Sequence, residues 1–177
     1  STDNGTTWTG GNSGLTSSDV RAIAVSGTNL FAGTYLGGVF LSTNNGASWR
    51  DVNSGLTNPI VVSLVQNGSR LFAGTYGGVF LSTNNGTSWT AVNSGLTDKF
   101  VSCFVVSGTN LFAGSNGAGV YVSTDNGTSW TGLGPANATV YSLAVEGTTL
   151  FAGTSTGVYR STDSGKSWSA AGMANVQ

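Results

Sequence analysis

At 177 residues the chain has the length of one domain, and its composition is turn-rich: 28 glycines, 38% hydrophobic residues and only 7% charged ones. A formal net charge of −1, with six scattered Lys and Arg, leaves no basic stripe to neutralise phosphates or anionic lipids, so neither nucleic acid nor membrane insertion is expected. Low charge, abundant Ser, Thr, Asn and Gly, and the absence of histidine read as an extracellular or cell-surface protein.

The first element is Ser1-Thr-Asp-Asn-Gly-Thr-Thr-Trp8, and it returns as Ser42–Trp49, Ser82–Trp89, Ser123–Trp130 and Ser161–Trp168, at offsets of 41, 40, 41 and 38. A period near 40 is that of four-stranded propeller blades. After each box comes a short polar piece, then a loop, Asn-Ser-Gly-Leu-Thr in the first three copies. An apolar run A follows (Val20–Val25, Val61–Val65, Val101–Val106, Val140–Val145), then a Gly-containing turn, then run B, Leu-Phe-Ala-Gly. A second Gly-rich turn leads to run C, Gly-Val-Phe/Tyr, and the next box opens run D at its Trp. Four short strand-like runs between turn signals, with no 3.6-residue period, predict an all-β chain of antiparallel four-stranded blades.

Blades are expected over residues 20–53, 60–93, 100–133 and 139–171, with 1–12 as an orphan outer strand and Asn175-Val-Gln177 entering a fifth run A. The near-continuous apolar character of A predicts an innermost strand buried on both faces, and polar D an outer edge. The Ala-Gly pair of B (Ala32-Gly33, Ala73-Gly74, Ala113-Gly114, Ala152-Gly153) predicts close approach of adjacent sheets.

The box explains itself without a ligand. Its Asp or Asn (Asp3, Asn44, Asn84, Asp125, Asp163) accepts a backbone N–H two residues on, as in an Asx turn. Its glycine (Gly5, Gly46, Gly86, Gly127, Gly165) supplies positive φ, and its Trp (Trp8, Trp49, Trp89, Trp130, Trp168) covers the turn from the core side. Asn4, Asn67, Asn85, Asn126 and Asn137 begin Asn-x-Ser/Thr triplets that read as turns. Cys103 lies in an apolar run, reads as a small hydrophobe and has no second cysteine to pair with.

Ser-x-Asp-x-Gly-x-x-Trp resembles the Asp-box, or bacterial neuraminidase repeat, in full at 1–8, 123–130 and 161–168 and with Asn for Asp at 44 and 84. The resemblance spans essentially the whole chain. It implies a β-propeller of the kind found in sialidases, other glycan-active enzymes and sortilin-like receptor ectodomains, with the boxes in C to D turns remote from any active site. A sialidase would need three convergent arginines, a Tyr with a partner Glu, and an Asp. Arg21, Arg50, Arg70 and Arg160 fall at different places in the repeat, and Glu146, the only glutamate, sits in an A to B turn. No carboxylate pair of glycosidase type is evident, and without histidine neither Ser-His-Asp chemistry nor histidine-ligated zinc is available. No enzyme activity, cofactor or metal is expected.

Binding or assembly remains. The D to A and B to C connections share one face, where the tips vary: Tyr35, Tyr76, Asn116 and Ser155, with Lys99 in a D to A loop. Tyr35 and Tyr76 either stack on a sugar ring or pack on neighbouring loops. Four blades rarely close a ring in this family, so either the chain is a segment of a larger propeller or its apolar blade faces are exposed and favour self-association. The leading expectation is therefore a scaffold whose partners are copies of itself, by ring closure or a head-to-tail filament, or another surface protein. A lectin-like carbohydrate-binding module comes second and a degenerate glycan hydrolase third.

Overall fold

A computed structural model describes residues 1 and 3–171; the expected fifth run A at 175–177 lies outside them. Sixteen strands form four antiparallel four-stranded sheets, and no helix occurs among the described residues. The first blade contains β1 (Val20–Ser26), β2 (Asn29–Thr34), β3 (Gly38–Ser42) and β4 (Arg50–Asp51), hydrogen-bonded in chain order. The second contains β5 (Val61–Asn67), β6 (Arg70–Thr75), β7 (Gly78–Ser82) and β8 (Thr90–Ala91). The third contains β9 (Val101–Ser107), β10 (Asn110–Ser115), β11 (Val120–Ser123) and β12 (Thr131–Gly134), and the fourth β13 (Val140–Glu146), β14 (Thr149–Thr154), β15 (Gly157–Ser161) and β16 (Ser169–Ala170). The meander follows from the turn chemistry, since tight Gly-containing turns join strands that are neighbours in sequence and so fix antiparallel pairing.

The blades stack through their inner strands, β1 on β5, β5 on β9 and β9 on β13, whereas β13 and β1 form no comparable contact. The glycine of run B makes the stacking close. A Cβ on Gly33 would stand 2.6 Å from Cγ1 of Val61 in the next blade, and one on Gly114 2.7 Å from Cγ1 of Val140. Three apolar clusters fill the three spaces between blades, so the core is distributed rather than central.

Two expectations need correction. Strand A is not the most buried of the four: β2, β6 and β10 are almost wholly buried, while β1 and β13 are largely exposed. Strand A has a hydrogen-bonded neighbour on one side only, so the flanking blades decide its burial. Residues 1–12 are expected as an orphan outer strand, but those of them that are described carry no strand. A D strand pairs with the C strand before it, as β4 does with β3, and the described residues offer this segment none.

Candidate functional site

The box turns have one geometry. In the fourth blade the Ser161 hydroxyl donates to Oδ1 of Asp163 at 2.7 Å and accepts the Gly165 N–H at 2.8 Å, while Oδ1 accepts the Ser167 N–H at 2.9 Å. The carboxylate therefore reaches the N–H four residues on, and the box serine, rather than the expected Asx contact, takes the N–H two residues after the Asp. Gly165 has φ of 87° and Ser164 a φ of 61°, so two successive residues are left-handed. Asn4, Asn85, Asn126 and Asn137 are likewise left-handed turn residues.

Hydrogen bonds from the hydroxyl and amide of Thr7, Ser129 and Ser167 pull Asp3, Asp125 and Asp163 down to about 2. In the second and third boxes the polarity inverts. Asn44 and Asn84 donate through Nδ2 to Ser48 and Ser88 at 2.9 Å, and their Oδ1 still accepts the backbone N–H. The turn survives the loss of charge because its acceptor oxygen is retained.

The tryptophans do more than cover their own turns. The indole N–H of Trp49 donates to Gly11 O at 2.8 Å, that of Trp89 to Val52 O at 2.7 Å and that of Trp130 to Val92 O at 2.9 Å. Each acceptor lies in the segment preceding that blade. The backbone N–H groups of the same residues donate to Ser13, Ser54 and Ser94 in the Asn-Ser-Gly-Leu loops. Gly55 in that loop has φ of 81°, and a Cβ there would overlap the Trp89 carbonyl oxygen. Box, Trp and loop thus form a repeated blade-to-blade lock, and residues 11–14 supply the loop half of it to the first blade.

The fourth blade is held differently. Gly134-Pro-Ala-Asn137 replaces the Asn-Ser-Gly-Leu loop, and the buried indole N–H of Trp168 has no hydrogen-bond partner among the described residues. Trp8, which has no blade to pack on among the described residues, is 79% exposed and donates to Gly5 O of its own turn.

The two outer faces continue this packing. Val39, Val79 and Val120 are 0% exposed against the next blade, whereas Val158, at the same place in the fourth blade, is 50% exposed. On the opposite face Ile23 is 65% and Val25 59% exposed, although Leu64, Phe104 and Leu143 at the place of Ile23, and Val106 and Val145 at that of Val25, pack into blade interfaces.

The B to C tips dock on the residues preceding strand A. Tyr35 N–H donates to Asp19 O, Tyr76 N–H to Ile60 O, Asn116 N–H to Phe100 O and Ser155 N–H to Thr139 O. The expected ligand-face residues therefore share one edge. Tyr35 and Tyr76 meet edge to face at 6.4 Å, Tyr76 stacks on Phe100 at 3.9 Å, and the Arg21 guanidinium lies 5.5 Å from the Tyr35 ring. Exposed Lys99 and Asn116 flank Phe100. This ridge crosses three blades, with Arg21 also paired to Asp19 at 2.6 Å.

Five of the seven carboxylates are engaged elsewhere. Asp3, Asp125 and Asp163 hold turns, Asp19 pairs with Arg21, and Asp98 accepts the Phe100 N–H. Cys103 is half-buried in the third interface, where burial pushes its thiol pKa up. No cluster of three or more His, Cys, Asp or Glu that could ligate a metal occurs among the described residues.

No protein-family model and no curated protein matches the sequence. Solved structures do resemble it. An ancestral GH74 enzyme superposes with a TM-score of 0.79 at 23% identity, over 90% of this chain and 25% of the enzyme. The extracellular domain of a one component system from B. thetaiotaomicron gives 0.74 at 20% identity, over 86% and 22%. The fold is a β-propeller. The chain spans about a quarter of the length of those two proteins, and at such identities the likeness is one of fold. The computationally designed Ika4 protein is matched at a TM-score of 0.62 and 15% identity over 83% of this chain and 92% of its own.

Sequence reasoning missed the cross-blade tryptophan bonds and Phe100. The placement of all five tryptophans at one box position is the signal for the former. Nothing local marks Phe100, which joins the ridge only through folding.

Proposed function

We propose that the chain is a non-catalytic extracellular propeller scaffold of Asp-box type that works by self-assembly through its outer blade faces. The observation that carries this reading is the contrast between Val158 and its three fully buried counterparts. At the three internal junctions the corresponding face packs on another blade of the same repeat, which supports this reading. Burying apolar surface of this kind stabilises by roughly 25 cal/mol per Å², and few charges oppose close approach. The extracellular setting is supported by the low charge and by the likeness to an extracellular sensor domain. The dispersed carboxylates support the absence of catalysis, because acid-base hydrolysis needs two of them facing each other.

The experiment is sedimentation velocity across a hundredfold concentration range, with negative-stain imaging of the heavy fraction. Discrete rings or linear fibres support assembly; a single light species throughout removes it.

A second reading, a lectin-like carbohydrate-binding module, is favoured by the ridge of Tyr35, Tyr76 and Phe100, since aromatic faces at a loop edge suit stacking on sugar rings. Oligosaccharide binding on an array, lost in Tyr35→Ala/Tyr76→Ala, would favour it over the scaffold.

A further inference from the structure

Six Asn-Gly pairs stand in the chain, beginning at Asn4, Asn45, Asn67, Asn85, Asn116 and Asn126. This dipeptide is chemically labile, because a glycine amide has no side chain to hinder its attack on the preceding asparagine. We propose that Asn67 and Asn116 are sites of spontaneous deamidation in the folded protein, and that the box turn protects the Asn-Gly pairs it contains.

The step needs only water. The glycine amide loses its proton to hydroxide and its nitrogen attacks Cγ of the asparagine. As the N–Cγ bond forms, the Cγ–Nδ2 bond breaks, and the side-chain nitrogen takes a proton from water and leaves as ammonia. Water then opens one of the two C–N bonds of the resulting succinimide, giving aspartate or isoaspartate. One water is consumed and one ammonia released, nothing is oxidised or reduced, and each event adds one negative charge.

Reaction therefore depends on access to the glycine amide, and by that measure the six pairs divide. Ser82 Oγ accepts the Gly86 N–H at 2.8 Å and Ser123 Oγ the Gly127 N–H at 2.7 Å, with both glycines buried. The preceding blade closes over them: a Cβ on Gly86 would stand 3.1 Å from Phe31, and one on Gly127 would overlap Phe72. Ser42 holds the half-buried Gly46 N–H at 2.9 Å in the same way, and Ser1 the Gly5 N–H at 2.8 Å. Asn4, Asn45, Asn85 and Asn126 are also left-handed, so swinging the carboxamide onto the next nitrogen would unmake the turn.

The other two pairs lack this lock. Gly68 and Gly117 are exposed, and neither amide has a hydrogen-bond partner among the described residues. A Cβ on Gly68 meets nothing within 4 Å, and one on Gly117 meets only Asp98 Oδ2, at 3.7 Å. Gly68 sits in the turn between β5 and β6, where Gln66 Nε2 donates to its carbonyl oxygen at 2.6 Å and leaves its amide to water. Gly117 follows Asn116 in the B to C tip of the third blade. Deamidation there places a carboxylate beside Lys99 and Phe100, at the flank of the aromatic ridge.

The test holds the full chain in warm, mildly alkaline buffer and sequences its peptides by electron-transfer fragmentation, which locates aspartate and isoaspartate residue by residue. Products are expected at 67 and 116, with Asn85 and Asn126 slower by about tenfold or more, the factor set by opening one buried hydrogen bond. In concentrated urea the difference should vanish. Native rates at Asn85 and Asn126 equal to those at Asn67 and Asn116, or no product at 67 and 116 while the urea-unfolded chain reacts, overturn the proposal.

Ser82→Ala examines the lock itself. It removes the acceptor of the Gly86 N–H and should accelerate Asn85, while Asn45 and Asn126 in the same sample report any general loosening. An Asn85 that gains nothing over those two rejects protection by the box serine.

Discussion

The indole N–H of Trp89 donates to the carbonyl oxygen of Val52, 37 residues earlier and one blade away, at 2.7 Å. Both groups are buried, so neither can fall back on water when the other is removed. Trp89→Phe should therefore destabilise the fold by about 1–3 kcal/mol, the cost of an unsatisfied buried acceptor. Trp8→Phe, on a ring 79% exposed whose N–H bonds only its own solvent-exposed turn, should cost almost nothing to the isolated chain. Urea unfolding of the two variants checks the contrast.

The loop half of the lock makes a sharper steric prediction. Gly55 and Gly68 both have positive φ, but a Cβ on Gly55 would collide with the Trp89 carbonyl, while one on Gly68 meets nothing within 4 Å. Gly68→Ala should cost only the left-handed backbone penalty, about 1–2 kcal/mol. Gly55→Ala should lower the urea midpoint at least twice as far.

Acid should act on some turns and not on others. Asp125 and Asp163 lie at about 2, below the ordinary 3.8, so the charged form is favoured in the folded state. Their contribution is fully present above about pH 4 and is lost as pH falls through about 2. Asn44 and Asn84 have no such term. In Asp125→Asn/Asp163→Asn the thermal midpoint should be lower than that of the parent at pH 7, and the gap should narrow between pH 4 and pH 2. A gap constant with pH would deny the carboxylates this role.

The ridge and the blade faces are separate surfaces. Tyr35→Ala/Tyr76→Ala should leave the assembly state unchanged, and each aromatic pair it removes, Tyr35 with Tyr76 and Tyr76 with Phe100, should cost about 0.5–1.5 kcal/mol of stability. Loss of assembly in this variant would place the contact at the loop edge instead.

Much of the fold was legible because its signals are local. The glycines and asparagines of the boxes demand left-handed turns, and a period near 40 with four apolar runs leaves few alternatives to blades. What stayed hidden is non-local. The partner of the Trp89 indole lies in another blade, and the burial of strand A depends on whether a blade covers it, as the difference between Val61, 0% exposed, and Val20, at the same place in the first blade and 38% exposed, shows. Residues 8–12 have D-type composition yet form no strand, because pairing needs a second strand and composition does not supply one. Tyr35 and Tyr76 were visible as equal positions in successive repeats, whereas Phe100 reaches them from a different loop.

The most direct test of assembly through opposite blade faces is light scattering on Ile23→Asp and Val158→Asp, alone and mixed in equal amounts. Each variant loses one face and keeps the other, so each alone should have the monomer mass of 17.8 kDa. Mixed, they should form a species of twice that mass and nothing larger. Variants that assemble alone, or a mixture that stays monomeric, would contradict head-to-tail association of the blades.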